Sequence, residues 1–243
     1  MKRLGFVLIL ALCLILVLSA FAPGAMAKRK VAPSVVPPGG TVAGLSYADW
    51  SAKWWQWVLA IPQDQSPFFD PTGANAAVGQ SGDVFFLCGT MEYDWAGIAS
   101  ADRFVKVPPG KYIFLPVING EMSPPEGWEG GPQTWPELVA FCESYIDQVT
   151  VKDLTVDGHK VASYRVKTTK DQAAAPTYTM PKGGVFPIEP GTYPFFSDGY
   201  WAMLEPLSMG SHRIVIHGVA EGDGWVFETL VRYHLVVTDD IED

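Results

Sequence analysis

The stretch HRIVIHGVAEGDGWVFETLVRYHLVVT, residues 212–238, decides the fold. Apolar and polar side chains alternate within both of its halves, over Arg213–Val219 and again over Val226–Thr238. A period of two is typical of a strand with one face in the core and one in solvent. The stretch therefore predicts an antiparallel pair of strands at the carboxyl end of the chain.

The register of this pair follows from the loop that joins the two strands. With a loop of Val219 to Trp225, Ile216 pairs with Thr229, and one face of the hairpin becomes mostly apolar. On the opposite, solvent-facing side this register sets His217 opposite Glu228, and we expect the two side chains to form a surface ion pair.

Strand-like segments separated by Gly and Pro continue upstream, which is typical of a sandwich or barrel. The dipeptide Asp157-Gly158 is a strong hairpin signal. We expect a mainly β protein, an antiparallel two-sheet β-sandwich of jelly-roll type with two short helices. The other predicted strands are Val84–Cys88, Arg103–Val107, Tyr112–Val117, Val149–Val156, Val161–Lys167 and Trp201–Leu204.

The two helices are indicated by their starts. Ser46 and Asp49 have the spacing of a capping box, and the helix that follows ends near Ala60. Thr134 caps a second helix that extends to Gln148. The first helix carries four tryptophans, and we interpret them as core packing because they point in several directions; a stacking surface for a ligand is the alternative. These are Trp50, Trp54, Trp55 and Trp57.

The amino terminus has the pattern of a secretory signal peptide. Lys2 and Arg3 precede an apolar run from Leu4 to Ala22, and small residues follow, so we expect residues 1–27 to be removed. The alternative is an uncleaved membrane anchor, because the apolar run is long and three basic residues come directly after it. The signal peptide predicts an exported protein, periplasmic or extracellular, with no stable membrane insertion after cleavage.

The remaining chain has the length of one domain. Residues 28–43 are rich in Pro and Gly and predict an extended linker, and residues 44–243 are expected to form a single β-sandwich domain. The net charge of the chain is −9, and no basic stripe is present that could follow a phosphate backbone. Nucleic acid is therefore excluded as a partner.

Two cysteines remain after the signal peptide, Cys88 and Cys142. An oxidising compartment would allow a disulfide between them, and two separate buried thiols are the alternative.

The best candidate site follows the dipeptide Asp198-Gly199. Tyr200 and Trp201 are the predicted contact surface for a ligand, with Asp198 beside them. Asp198 and Glu205 are also the candidate acids of a glycoside hydrolase, which needs two carboxylates. A structural turn is the third interpretation.

No metal site is predicted, and no cofactor. The four histidines lack metal-ligand spacing; we expect His212 to bond a neighbour such as Tyr233. Asp70 and Thr72 lie near Asn75 in a Gly-rich segment, where a structural loop is favoured over a calcium site. The sequence also lacks the motifs of serine hydrolases and of phosphate-binding loops.

An ordered set of motifs spans nearly the whole domain, and it resembles a family of uncharacterised exported bacterial proteins. The resemblance implies export and a β-rich fold. It implies no activity, and no catalytic residue. The motifs are Gly44-Leu45-Ser46-Tyr47 with the four tryptophans of the first helix, Asp70-Pro71-Thr72-Gly73, Gly79-Gln80-Ser81-Gly82, Val107-Pro108-Pro109-Gly110-Lys111, Ser197-Asp198-Gly199-Tyr200-Trp201, and Gly210 with His212.

These patterns favour a non-catalytic function. The leading hypothesis is an exported binding or cell-envelope interaction protein, with a glycan or an envelope protein as its partner. The first alternative is a secreted polysaccharide-active hydrolase that uses paired carboxylates. The second alternative is a structural subunit of the envelope.

Overall fold

The computed structural model describes residues 33–94, 96–126 and 130–241. The predicted signal peptide lies outside these residues. The two helices are α1 (Tyr47–Leu59) and α2 (Trp135–Asp147). The strands are β1 (Val84–Phe86), β2 (Ala99–Val107), β3 (Tyr112–Met122), β4 (Val149–Val156), β5 (His159–Lys160), β6 (Tyr164–Lys167), β7 (Thr177–Met180), β8 (Gly191–Pro194), β9 (Phe196–Leu204), β10 (Gly210–Gly222) and β11 (Trp225–Val237).

Two sheets form the body of the domain. The first has the order β1-β3-β9-β6 and the second the order β2-β11-β10-β4-β5, while β7 and β8 form a separate hairpin. Apolar side chains from both sheets meet in one core cluster, among them Leu115 of the first sheet and Ile214 and Val231 of the second. The predicted mainly β sandwich with two short helices is confirmed.

Most strand pairs are antiparallel, as expected, but two pairs are parallel. β1 pairs with β3 in parallel, and β2 pairs with β11 in parallel. The reason lies in the path of the chain, because β2 joins the second sheet between two strands of the first. The turn at Pro108-Pro109-Gly110 therefore leads from one sheet to the other and does not close a hairpin.

The β10–β11 hairpin is longer than its predicted form. Gly222 pairs with Trp225, so the turn is only Asp223-Gly224, and Ile216 pairs with Val231 instead of Thr229. The register is shifted by two residues, and a shift of two leaves every side chain on its predicted face.

Helix α1 covers the outer face of the first sheet. Ser46 and Asp49 form the predicted capping box. The four tryptophans of α1 are buried, and Trp54 is fully enclosed between Trp201 and Phe68. The interpretation of the tryptophans as core packing is confirmed.

The folded domain begins before Gly44, so the predicted linker is partly wrong. Val35 pairs with Leu204 next to β9, and the Val36 N–H donates to the Met203 carbonyl oxygen at 2.9 Å. The Tyr47 hydroxyl donates to the Val36 carbonyl oxygen at 2.6 Å. Val35 and Val36 also make apolar contacts with the core, which the Pro and Gly content of this segment does not predict.

Cys88 and Cys142 are free, buried thiols, so the disulfide prediction is wrong. Cys88 belongs to the core under α1, whereas Cys142 packs in a separate cluster with Met122 and Leu138. Burial raises the pKa of both thiols, which favours the neutral form. In the described part of the chain, no helix is long and apolar enough to cross a membrane.

Candidate binding site

The structure places Asp198 in the interior, where its side chain is fully buried. The Arg165 Nη2 donates to Asp198 Oδ2 at 2.6 Å, and Lys167 Nζ lies 3.5 Å from the same oxygen. The hydrogen bonds that Arg165 donates to Asp198 in turn raise the pKa of Arg165. Asp198 is therefore the buried member of an ion-pair network and does not line a cleft.

The predicted carboxylate pair of Asp198 and Glu205 is wrong. Glu205 is exposed just beyond the end of β9, and seven residues of extended chain separate the two acids by about 23 Å. A glycosidase needs its two carboxylates within roughly 10 Å of one another.

The predicted contact surface at Tyr200 and Trp201 is also wrong for Trp201. Its ring is completely buried and stacks on Phe114 with the ring centroids 5.1 Å apart. Tyr200 points to the other face of β9, where the Lys152 ammonium lies 4.0 Å from the centre of its ring. The Trp201 ring is therefore not free to stack on a ligand, and Lys152 covers one face of the half-buried Tyr200 ring.

The position of Asp198 gives a stability prediction. We expect Asp198→Asn to lower the free energy of unfolding by about 2 kcal/mol, because it removes a charge-assisted bond to a partly buried Arg165. Urea denaturation would measure this. Glu205→Gln is the matched control at an exposed acid, with an expected change within about 0.5 kcal/mol. Equal stability of Asp198→Asn and the parent protein would contradict the assignment.

The histidines make local pairs. His212 bonds a neighbour as expected, but the neighbour is Asp157 and not Tyr233, with 2.7 Å between His212 Nδ1 and Asp157 Oδ2. The surface pair of His217 and Glu228 is confirmed, with 2.8 Å between Nε2 and Oε1, although the contact runs diagonally across the hairpin.

The segment around Asp70 is a tight structural loop, as favoured above. Asp70 Oδ1 accepts hydrogen bonds from the backbone and hydroxyl of Thr72, and Oδ2 accepts the Asn75 N–H at 2.7 Å. Burial opposes ionisation of this carboxyl, but the hydrogen bonds outweigh it and lower its pKa. The loop fixes the backbone of Asn75 at the edge of an open cleft.

This cleft has a volume of about 870 Å³. Three segments form most of its walls: the turn after α1 together with Phe69, the loop that follows Asp70, and the turn after β7. Glu92, from the segment between β1 and β2, completes the lining. The volume falls in the range of sites that bind small molecules. The lining residues are Pro62, Gln63, Asp64, Gln65, Phe69, Asn75, Glu92, Lys182 and Gly183.

Backbone hydrogen bonds hold the walls of the cleft. The Gln63 N–H donates to the Gly183 carbonyl oxygen at 2.8 Å, which joins two of the three segments. The Ser66 side chain accepts from the Phe68 N–H and begins the short helical turn that carries Phe69. The cleft is therefore formed on a fixed backbone.

The polar side chains of the cleft are available for a ligand. Within the described ranges, the side chains of Asp64, Glu92 and Lys182 form no ion pair, and those of Gln63, Gln65 and Asn75 form no hydrogen bond. The acids Asp198 and Asp70, by contrast, are fully engaged in internal bonds. Polar groups that converge on one cleft without protein partners make this cleft the candidate binding site.

No protein-family model, curated protein or solved structure matches this chain. The resemblance to exported bacterial proteins stays a prediction, and the functional argument depends on the geometry of the cleft.

Few features of the sequence indicate this site. Asn75 appeared only as a member of a loop, and the run Gln63-Asp64-Gln65 follows the end of a helix as many polar loops do. Lys182 and Gly183 lie much later in the chain, in the turn after β7. One signal is present, because all four residues between Pro62 and Pro67 have hydrogen-bonding side chains.

Proposed function

We propose that this protein is an exported, non-catalytic binding protein that holds a short saccharide in the cleft between residues 62–65 and 182–183. The observation that carries the proposal is the set of unpaired amide, carboxylate and ammonium groups around one cleft of about 870 Å³. The volume accommodates a few sugar units, and the site is open at the surface.

The chemistry of the lining fits sugar hydroxyls. Amide side chains donate and accept hydrogen bonds, carboxylates accept them and an ammonium group donates them. The half-buried ring of Phe69 supplies an apolar surface on which the C–H face of a sugar can pack. Two acids against one lysine leave the cleft acidic, so neutral and basic sugars fit better than anionic ones.

A thermal-shift screen against neutral, amino and acidic oligosaccharides tests the proposal, since a ligand that binds only the native state raises the melting temperature. We expect a saturable rise with a neutral or amino oligosaccharide and none with acidic ones. The absence of a rise with any saccharide would contradict the proposal.

The cleft is then tested by substitution of two exposed side chains. We expect Asp64→Ala and Lys182→Ala each to weaken the affinity for the oligosaccharide found in the screen about tenfold, which corresponds to about 1.4 kcal/mol, as measured by titration calorimetry. Both residues are exposed, so the melting temperature of each variant should equal that of the parent protein. Glu205→Ala is the control outside the cleft, and unchanged affinity in all three variants would place the ligand elsewhere.

A hydrolase is the second candidate, because Asp64 and Glu92 are two unpaired carboxylates in one cleft. It predicts release of reducing sugar from a polysaccharide, lost in Asp64→Asn and Glu92→Gln while binding remains. Binding without product favours the non-catalytic function.

A further inference from the structure

A second unusual feature lies at the end of β3, where two glutamates meet in the interior. The Glu121 carboxyl is buried, and neither of its oxygens has a hydrogen-bond partner other than the neighbouring carboxyl of Glu126. Glu126 Oε1 is also buried without another partner. Glu126 itself is partly exposed, so the pair lies just below the surface.

No positive side chain compensates the pair. Within the described residues, neither glutamate forms an ion pair with Lys, Arg or His. Burial, and then the neighbouring Glu126, raise the pKa of Glu121 well above its ordinary range. Two acids in contact away from water are unfavourable unless a proton or a cation lies between them.

Ser197 supplies an independent observation. It pairs with Glu121 across β9 and β3, so the two side chains project from the same face of the sheet. Ser197 is completely buried, and its hydroxyl has no hydrogen-bond partner. The Ser197 hydroxyl and the Glu121 carboxyl, whose one partner is Glu126, therefore offer oxygen donors on the same face of the sheet.

Asn119 lies two residues before Glu121 on the same face of β3. Its amide nitrogen is buried without an acceptor. The two ends of an amide are interchangeable by rotation, so the same position can present a carbonyl oxygen instead.

We propose that Glu121, Glu126 and Ser197 bind a hard divalent cation, with calcium as the preferred ion and the Asn119 amide as a further oxygen ligand. Carboxylate, hydroxyl and amide oxygens are the donors that calcium takes, and neither a thiol nor an imidazole belongs to this set. The site is separate from the saccharide cleft, and none of its residues lines the cleft.

The surroundings hold Glu126 in position. The Ser123 N–H donates to Glu126 Oε2 at 3.1 Å, and the Ser123 hydroxyl lies 2.7 Å from the hydroxyl of Tyr178 in β7. These contacts leave Oε1 of Glu126 for the cation. They also place an aromatic ring near the site, which gives a spectroscopic readout.

The test compares the metal-free protein with and without added calcium. We expect 10 mM calcium to raise the melting temperature by roughly 3 to 7 °C, with half of the effect at about 0.1 to 1 mM, and magnesium to have a smaller effect. Terbium, which replaces calcium, should show emission excited through nearby aromatic rings. Glu121→Gln should abolish both responses, and Glu205→Gln should leave both unchanged.

Ser197→Ala is the second variant, in case Glu121→Gln does not fold. We expect it to raise the calcium concentration at half effect several-fold. The proposal is overturned if calcium and terbium have no effect on the parent protein, in which case the two glutamates share protons. It is also overturned if the calcium response persists in Glu121→Gln.

Discussion

Arg103→Met is expected to lower the free energy of unfolding by about 3 to 5 kcal/mol. Arg103 lies on β2 with its side chain almost completely buried between the sheets and the loop before β1. Its guanidinium donates to five oxygens of five residues, of which four are backbone carbonyl oxygens and one is a hydroxyl. The acceptors are the carbonyl oxygens of Pro67 at 2.6 Å, Asp70 at 2.8 Å, Cys88 at 2.9 Å and Gly89 at 3.0 Å, and the Tyr233 hydroxyl at 2.7 Å.

Methionine keeps much of the volume of the arginine but donates no hydrogen bond. Four carbonyl oxygens would then lose a donor, although the Cys88 oxygen keeps the hydrogen bond from the Tyr233 hydroxyl. Each buried oxygen left unsatisfied costs about 1 to 3 kcal/mol before relaxation. Urea denaturation followed by circular dichroism gives the value. Arg213→Met is the matched control, because Arg213 is exposed on the outer face of β10.

The same substitution connects stability with the cleft. Arg103 binds the backbone at Pro67 and Asp70, on either side of Phe69. We therefore expect Arg103→Met to weaken saccharide binding as well, although Arg103 does not line the cleft. A change in stability below about 1 kcal/mol would contradict the structural role of Arg103.

Trp201→Ala is expected to lower the free energy of unfolding by about 3 to 5 kcal/mol without a specific effect on the ligand site. The Trp201 ring stacks on Phe114 and meets Trp54 edge to face with the centroids 5.3 Å apart. Removing it leaves a cavity under α1. Thermal and urea denaturation measure the loss, and Trp225→Ala is the control at a ring that is 37% exposed.

The indole N–H groups of Trp54 and Trp201 differ in their hydrogen bonding, so we expect their substitution by Phe to differ in its effect on stability. Trp54 Nε1 donates to the Leu87 carbonyl oxygen at 2.8 Å, whereas Trp201 Nε1 has no partner in the described structure. Trp54→Phe should therefore cost more than Trp201→Phe, because only the first leaves a buried carbonyl without its donor. Equal losses would contradict the assigned hydrogen bond.

Local signals predicted the local structure of this protein well. The capping box of Ser46 and Asp49 and the turn of Asp157-Gly158 depend on residues that are neighbours in sequence, and both form as expected. The faces of β10 and β11 follow from alternation. Their register does not, because it depends on whether the turn has two residues or seven.

Long-range features could not be predicted in this way. The parallel pairs arise because β2 crosses to the other sheet, which no local pattern records. The burial of Arg103 is consistent with alternation, since Arg103 lies on the same inner face of β2 as Ala101 and Val105. Its hydrogen-bond partners cannot be predicted from local sequence, because they come from distant loops.

The candidate site shows the same limit. Acids and aromatic rings are common in sugar sites, and on this ground the sequence favours Asp198 and Trp201 as site residues. In the structure β9 is a central strand that buries both side chains. The cleft is assembled from three turns, and only the folded chain brings Asp64 near Lys182.

Amide chemical-shift mapping of the isotope-labelled domain with the best saccharide from the screen tests the central claim most directly. The account predicts perturbations concentrated at Gln63–Gln65, Phe69, Asn75, Glu92 and Lys182–Gly183 that saturate with the ligand. Perturbations confined to the outer face of the second sheet, or none at saturating saccharide, would contradict the cleft as the binding site.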